Sequence, residues 1–183
     1  SVVSLISAII TAFLAAHVWR RRTAPGAWGF IAFMAFTTLW TLGNVMEIFS
    51  APPVLIFWHN SRFVWIALVP VSWLIFTWQY ADPQKTFSWR SMAALCALPG
   101  ATIAFVAGCT FQQKGFEQVF WYWIHAIYSF ALTTAGILLL LKAMRQAEAW
   151  YRRRGMFLFA GVLLPIIVVF LHTFDWIPWR GMD

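Results

Sequence analysis

The sequence predicts an all-α membrane protein, a polytopic bundle of transmembrane helices, and three observations carry that prediction. Of 183 residues, 62% are hydrophobic and 10% charged, against roughly 25% charged in a soluble domain. The apolar residues gather in six runs, each close to the ~20 residues that cross a ~30 Å hydrocarbon core. The Lys and Arg residues fall almost entirely between those runs. With 13 Trp and 18 Phe, a chain of this length has more aromatic surface than one core can hide, and lipid is its natural solvent.

The first run, Val2 to Trp19, ends at Arg20-Arg21-Arg22 and Pro25-Gly26. The second extends from about Trp28 to Phe49 and stops at Ser50-Ala51-Pro52-Pro53. The third, Val54 to Tyr80, carries Pro70, which should kink it near its middle. In the fourth, Ser91 to Ala107, Pro99-Gly100 forms an expected interruption. Phe120 to Leu141 makes the fifth, and Gly155 to Phe174, with Pro165 inside, the sixth. No solenoid repeat or low-complexity linker divides them, so residues 1–183 are expected to form a single transmembrane domain.

Charge sets the orientation. The first, third and fifth connections hold ten Lys or Arg residues: Arg20, Arg21, Arg22, Lys85, Arg90, Lys142, Arg145, Arg152, Arg153 and Arg154. The second, fourth and final ones hold two, Lys114 and Arg180. Basic loops stay on the cytoplasmic side, so the N-terminus is expected outside a multi-pass protein of the inner (plasma) membrane. The net charge of +7 is thereby a topology signal. Nucleic acid is not an expected partner.

Motifs for soluble chemistry are missing. There is no GxGxxG, P-loop, GxSxG, HExxH or paired-cysteine zinc spacing, so no catalytic role and no cofactor are expected. Cys96 and Cys109 lie 13 residues apart in one run, about 20 Å along a helix, too far for a disulfide. Lys85, Lys114 and Lys142 sit at loops or helix ends, which excludes a buried Schiff-base lysine.

What the spans do carry is a set of polar residues, and such groups are costly in hydrocarbon. Asn44 and Glu47 lie three apart in the second run, and His59 and Arg62 three apart in the third. The fifth offers His125 and Tyr128, with Trp121 one turn earlier; the sixth ends with His172 and Asp175. All lie within roughly the outer ~12 Å of their helices, counted at 1.5 Å per residue. One reading is a structural ion pair, with Glu47 and Arg62 brought together by the short connection between their helices, and self-satisfied histidines. The other is an outer-leaflet pocket formed by Asn44, Glu47, His59, Arg62, Trp121, His125 and Tyr128, binding a small molecule or responding to pH through imidazoles that titrate near about 6.5. A metal site would draw on Glu47, His59, His125 and His172, but their spacing matches no metal motif, and no metal is expected.

Several segments resemble the seven-helix N-terminal sensor region of histidine kinases. Trp40-Thr41-Leu42-Gly43-Asn44-Val45-Met46-Glu47 is similar to that family's Trp-to-Glu stretch. Phe63 to Pro70, followed by Trp73, Phe76 and Tyr80, resembles its third helix. Phe120 to Ser129 is similar to the start of its fifth, and Tyr151-Arg152-Arg153-Arg154 with Leu163-Leu164-Pro165 to its sixth. The connection from Gly108 to Gln118 is shorter than is usual there. The resemblance implies a signal-sensing domain of a two-component system, with a seventh helix and a cytoplasmic output domain following. Expected partners are the lipid bilayer, an unidentified small molecule, that output domain and a second copy in a homodimer. A small transporter or channel, suggested by the Pro-broken helices, and a structural subunit of a larger membrane complex are the alternative functions.

Overall fold

The computed structural model describes residues 2–24, 26–84, 88–109 and 120–146. They form five helices in the order α1 Val2–Trp19, α2 Ala27–Phe49, α3 Pro52–Ala81, α4 Trp89–Cys109 and α5 Phe120–Gln146, with no strand among the described residues. The chain divides into two compact units, 1–139 and 140–183. Of the second, the last turns of α5 are described.

Four helices are long and apolar enough to cross a membrane: Ala27–Phe49, Val54–Ala81, Trp89–Val106 and Trp123–Arg145. The six expected spans exceed this. The apolar stretch Ser4–Trp19 of α1 is shorter than the other four, and the sixth run, Gly155 to Phe174, lies outside the described residues.

Local chemistry fixes the ends of the helices. After α1 the chain turns through bonds from the Arg21 amide to the Val18 carbonyl (2.8 Å) and from the Ala24 amide to the Arg21 carbonyl (3.0 Å). The turn closes at Gly26 with φ 78°, a left-handed conformation that suits glycine. Between α2 and α3 the connection is only Ser50 and Ala51. Ser50 donates its hydroxyl to the Met46 carbonyl at 2.6 Å, and Pro52 starts α3 where its missing N–H costs nothing. At the start of α4 the Ser88 hydroxyl accepts the Ser91 amide at 3.2 Å, an N-cap.

α4 departs from the sequence expectation. It runs through Pro99 and Gly100 as one helix. Pro99 has no N–H, so the carbonyl four residues back, that of Leu95, loses its helical partner; Tyr128 of α5 donates its hydroxyl to that carbonyl at 2.6 Å. With the carbonyl satisfied, the helix need not end. α3 likewise continues through Pro70 as one helix. α5 extends past the expected Leu141 and takes Lys142 and Arg145 into its last turns.

α3 is the central helix of the first unit: half of its span is buried, against 17% for α4 and for α5. It packs against α2 and α4, while α1 packs against α2. The α2–α3 contact is very close. A Cβ added to Gly29 would lie 2.7 Å from both the Cα and the N of Phe76, so only glycine lets these backbones approach. Phe30 meets Phe76 edge-on at 5.3 Å, and Phe33 meets Trp73 at 5.5 Å. Gly136 of α5 serves Trp73 in the same way, for a Cβ there would overlap the indole. The indole N–H donates to the Thr133 carbonyl at 3.3 Å.

The remaining faces are apolar and open. Ile9 and Phe13 on α1, Phe49 on α2 and Ile127 and Leu138 on α5 are all exposed. In water such a surface would be unfavourable; in hydrocarbon it is solvated.

Candidate functional site

The polar residues of the spans assemble at the end of the first unit that holds the α2–α3 connection, the C-terminus of α4 and the N-terminus of α5. They form two groups. In the first, Glu47 of α2 faces α3. Arg62 Nη1 donates to Glu47 Oε2 at 2.9 Å, and His59 Nδ1 lies 2.8 Å from Oε1. Both oxygens of one carboxylate are thus held, each by a different residue of the neighbouring helix. The pairing follows from the two-residue connection, which sets the last turn of α2 beside the first turns of α3. His59 and Arg62 lie three apart, on one face. The side chains of Glu47, Arg62 and His59 retain 23, 22 and 28% of their exposure in the chain alone. Each side chain of the cluster thus keeps about a quarter of its surface accessible.

The second group joins α4 to α5 around Thr102. The Thr102 hydroxyl donates to the Leu98 carbonyl at 2.9 Å. Its oxygen accepts the indole N–H of Trp121 at 3.1 Å and lies 3.1 Å from His125 Nδ1. A hydroxyl has one proton and two lone pairs. With its proton on Leu98, the bond to His125 requires the proton on Nδ1. His125 Nε2 can then accept from the Ser129 hydroxyl, 3.2 Å away. His125 is buried, and every polar atom around it has a partner. The Tyr128 bond to Leu95 lies farther along the same face of α5.

Phe63 connects the two groups. The Arg62 guanidinium lies 5.1 Å from its ring centroid, and His59 meets it edge-on at 5.6 Å. Phe63 and Val106 form a buried cluster onto which Ile66, Phe105 and Trp121 pack.

Set against the sequence expectation, Glu47, His59 and Arg62 come together, and so do Trp121 and His125. Tyr128 bonds Leu95 on the same face of α5 as His125. Asn44 is half-buried and takes part in neither group of bonds. Among the described residues no three His, Cys, Asp or Glu side chains converge as metal ligands, so Glu47, His59 and His125 do not form a metal set; His172 lies outside the described residues. Sequence reasoning missed Thr102 and Ser129. Hydroxyls at single positions in apolar runs usually bond their own helix, as Thr37, Thr41 and Ser72 do here, and carry no signal of a cross-helix role. Pro99 did carry one, since the carbonyl it frees can take a donor from another helix.

A bundle of long apolar helices with polar groups gathered at one end fits the membrane region of a multi-pass protein. The chain belongs to the family of N-terminal 7TM regions of histidine kinases, whose family model matches residues 3–183. It is thus the sensor region of a histidine kinase, a membrane part of a two-component signalling protein. No curated protein and no solved structure matches it.

Proposed function

We propose that residues 1–183 act as one sensory domain that crosses the membrane six times with its N-terminus outside, and that the outer polar end receives the signal. The observation that carries this reading is the Glu47 carboxylate held between His59 and Arg62 in a membrane-spanning helix pair. An ion cluster at this depth is costly to keep, and replacing it by apolar residues often costs nothing in stability. A signal-dependent role accounts for its presence. Asn44 and the accessible part of the cluster provide the approach for a small molecule, with Trp121, His125 and Tyr128 forming the second wall. The asymmetry of ten basic residues against two across alternate connections supports placing this end outside.

The test uses the full-length kinase in membrane vesicles. Glu47→Gln should change basal autophosphorylation by at least about 5-fold, the lower end of a typical coupling between sites, in protein that remains monodisperse in detergent. Unchanged activity would show that the cluster only holds α2 to α3. For the orientation, a membrane-impermeant thiol reagent on intact cells should label Lys114→Cys but not Lys85→Cys, each in a Cys96→Ser, Cys109→Ser background. The reverse pattern would invert the topology.

A further inference from the structure

We infer that the Tyr128 hydroxyl and the Leu95 carbonyl form a releasable latch between α4 and α5, and that opening this latch is the step by which the polar end alters the kinase. The inference rests on the sensory reading above and extends it to regulation.

The latch follows from the backbone chemistry of α4. Pro99 leaves the Leu95 carbonyl without its helical donor. Inside hydrocarbon bulk water is not at hand to replace it, and a neighbouring helix is one source of a donor. Tyr128 supplies it at 2.6 Å. Next to Pro99, Gly100 has, among the described residues, nothing within 4 Å of where a Cβ would stand. α4 therefore carries a proline with its missing helical bond, the commonest place at which helices bend.

The same seam holds the other α4–α5 bonds. Trp121, His125 and Tyr128 lie at intervals of four and three on one face of α5, and reach Thr102 and Leu95 on α4. The backbones of α4 and α5 do not make the extensive close approach found between α2 and α3. Side-chain hydrogen bonds hold the seam beside the stacked rings of Phe105 and Trp121, and the bonds can be exchanged for bonds to a ligand hydroxyl entering from the polar end. Contact with the Glu47 cluster runs through Phe63, which touches Arg62 and His59 on one hand and belongs to the cluster packed by Trp121 on the other. A shift of Arg62 or His59 thus reaches the seam through two aromatic side chains.

A double-mutant cycle on the full-length kinase in membrane vesicles tests this. Tyr128→Phe removes the donor and keeps the ring, and should shift basal autophosphorylation by about 5-fold or more. Pro99→Ala restores an N–H that can take the Leu95 carbonyl, so in that background Tyr128→Phe should shift activity by less than about 2-fold. An equal shift in both backgrounds, or none in either, overturns the latch. If Tyr128→Phe alone does not fold, Pro99→Ala is read by itself: it must shift activity by about 5-fold, and no shift overturns the proposal. Glu47→Gln, measured in parallel, separates the two readings. A kinase that responds to Glu47→Gln and not to Tyr128→Phe keeps the sensory site and loses the latch. The converse removes the site at Glu47 and keeps the joint.

Discussion

α2–α3 and α4–α5 are both antiparallel helix pairs in the same apolar bundle, yet they are held by different forces. α2 and α3 approach so closely that Gly29 has backbone atoms of Phe76 where its Cβ would be. Phenyl and indole rings interlock along the contact, and one ion cluster closes its end. Association in lipid gains little from hydrophobicity, because the tails are as apolar as the side chains; close packing by small residues does the work instead. α4 and α5 lack such an approach. Their contact is a row of hydrogen bonds, one of them to a carbonyl that a proline has released, with a single stacked ring pair, Phe105 and Trp121, beside it. A packed contact is rigid, since every displacement loses dispersion energy at many atoms at once. A contact made of a few bonds has discrete alternatives. The bundle thus has one pair suited to serve as frame and one suited to move.

The sharpest way to break this contrast is to place the same methyl group on each side. Gly29→Ala forces a Cβ against the Phe76 backbone and should destabilise the protein by about 3 kcal/mol, the upper part of the overpacking range. Gly100→Ala meets open space among the described residues and should be neutral or stabilising by up to about 1 kcal/mol through helix propensity. Melting temperatures in detergent should therefore move in opposite directions or by very different amounts. Similar losses for both would show that α4 is packed as tightly as α2.

Smaller effects probe the polar groups. Glu47→Gln leaves Arg62 and His59 without their carboxylate and should cost about 1–3 kcal/mol, less than for a fully buried pair because each side chain keeps about a quarter of its surface accessible. Read as a melting temperature, it should fall below wild type but above Gly29→Ala. Thr102→Val keeps the shape and removes the oxygen that accepts from Trp121 and meets His125. It should cost about 1–2 kcal/mol, whereas Thr102→Ser should recover most of the loss. If Val and Ser behave alike, the hydroxyl is dispensable and the seam is held by packing.

The smallest effect is expected between α1 and α2. Thr11 and Thr38 meet through their hydroxyls at 2.7 Å, and each also lies within bonding distance of a carbonyl of its own helix; with one proton apiece, one hydroxyl gives up its carbonyl whenever the cross-helix bond forms. Thr11→Val should cost about 0.6 kcal/mol, the average for such bonds in membrane helices, and shift the melting temperature least of all. A loss as large as that of Thr102→Val would mean that α1 depends on this bond and not on packing.

By itself the sequence determined the helical class, the membrane setting and most of the helix ends, because these follow from length, hydropathy and turn chemistry along the chain. Ser50 to Pro53 marked the tight α2–α3 connection, and that connection was enough to anticipate the Glu47–Arg62 pair. The sequence could not decide whether the polar residues of four helices would share one space, because helix rotation about its own axis is set by packing partners and not by spacing. The tertiary structure supplies that rotation for the described residues: Glu47, His59 and Arg62 form one group of contacts, Trp121 and His125 another, and Phe63 touches both. It also decided the fate of Pro99. Taken locally, proline ends or interrupts a helix; here the helix continues, because a hydroxyl from α5 satisfies the carbonyl that proline leaves open. A missing backbone bond is visible in sequence, but its replacement comes from a residue 33 positions away, and only the fold brings the two together.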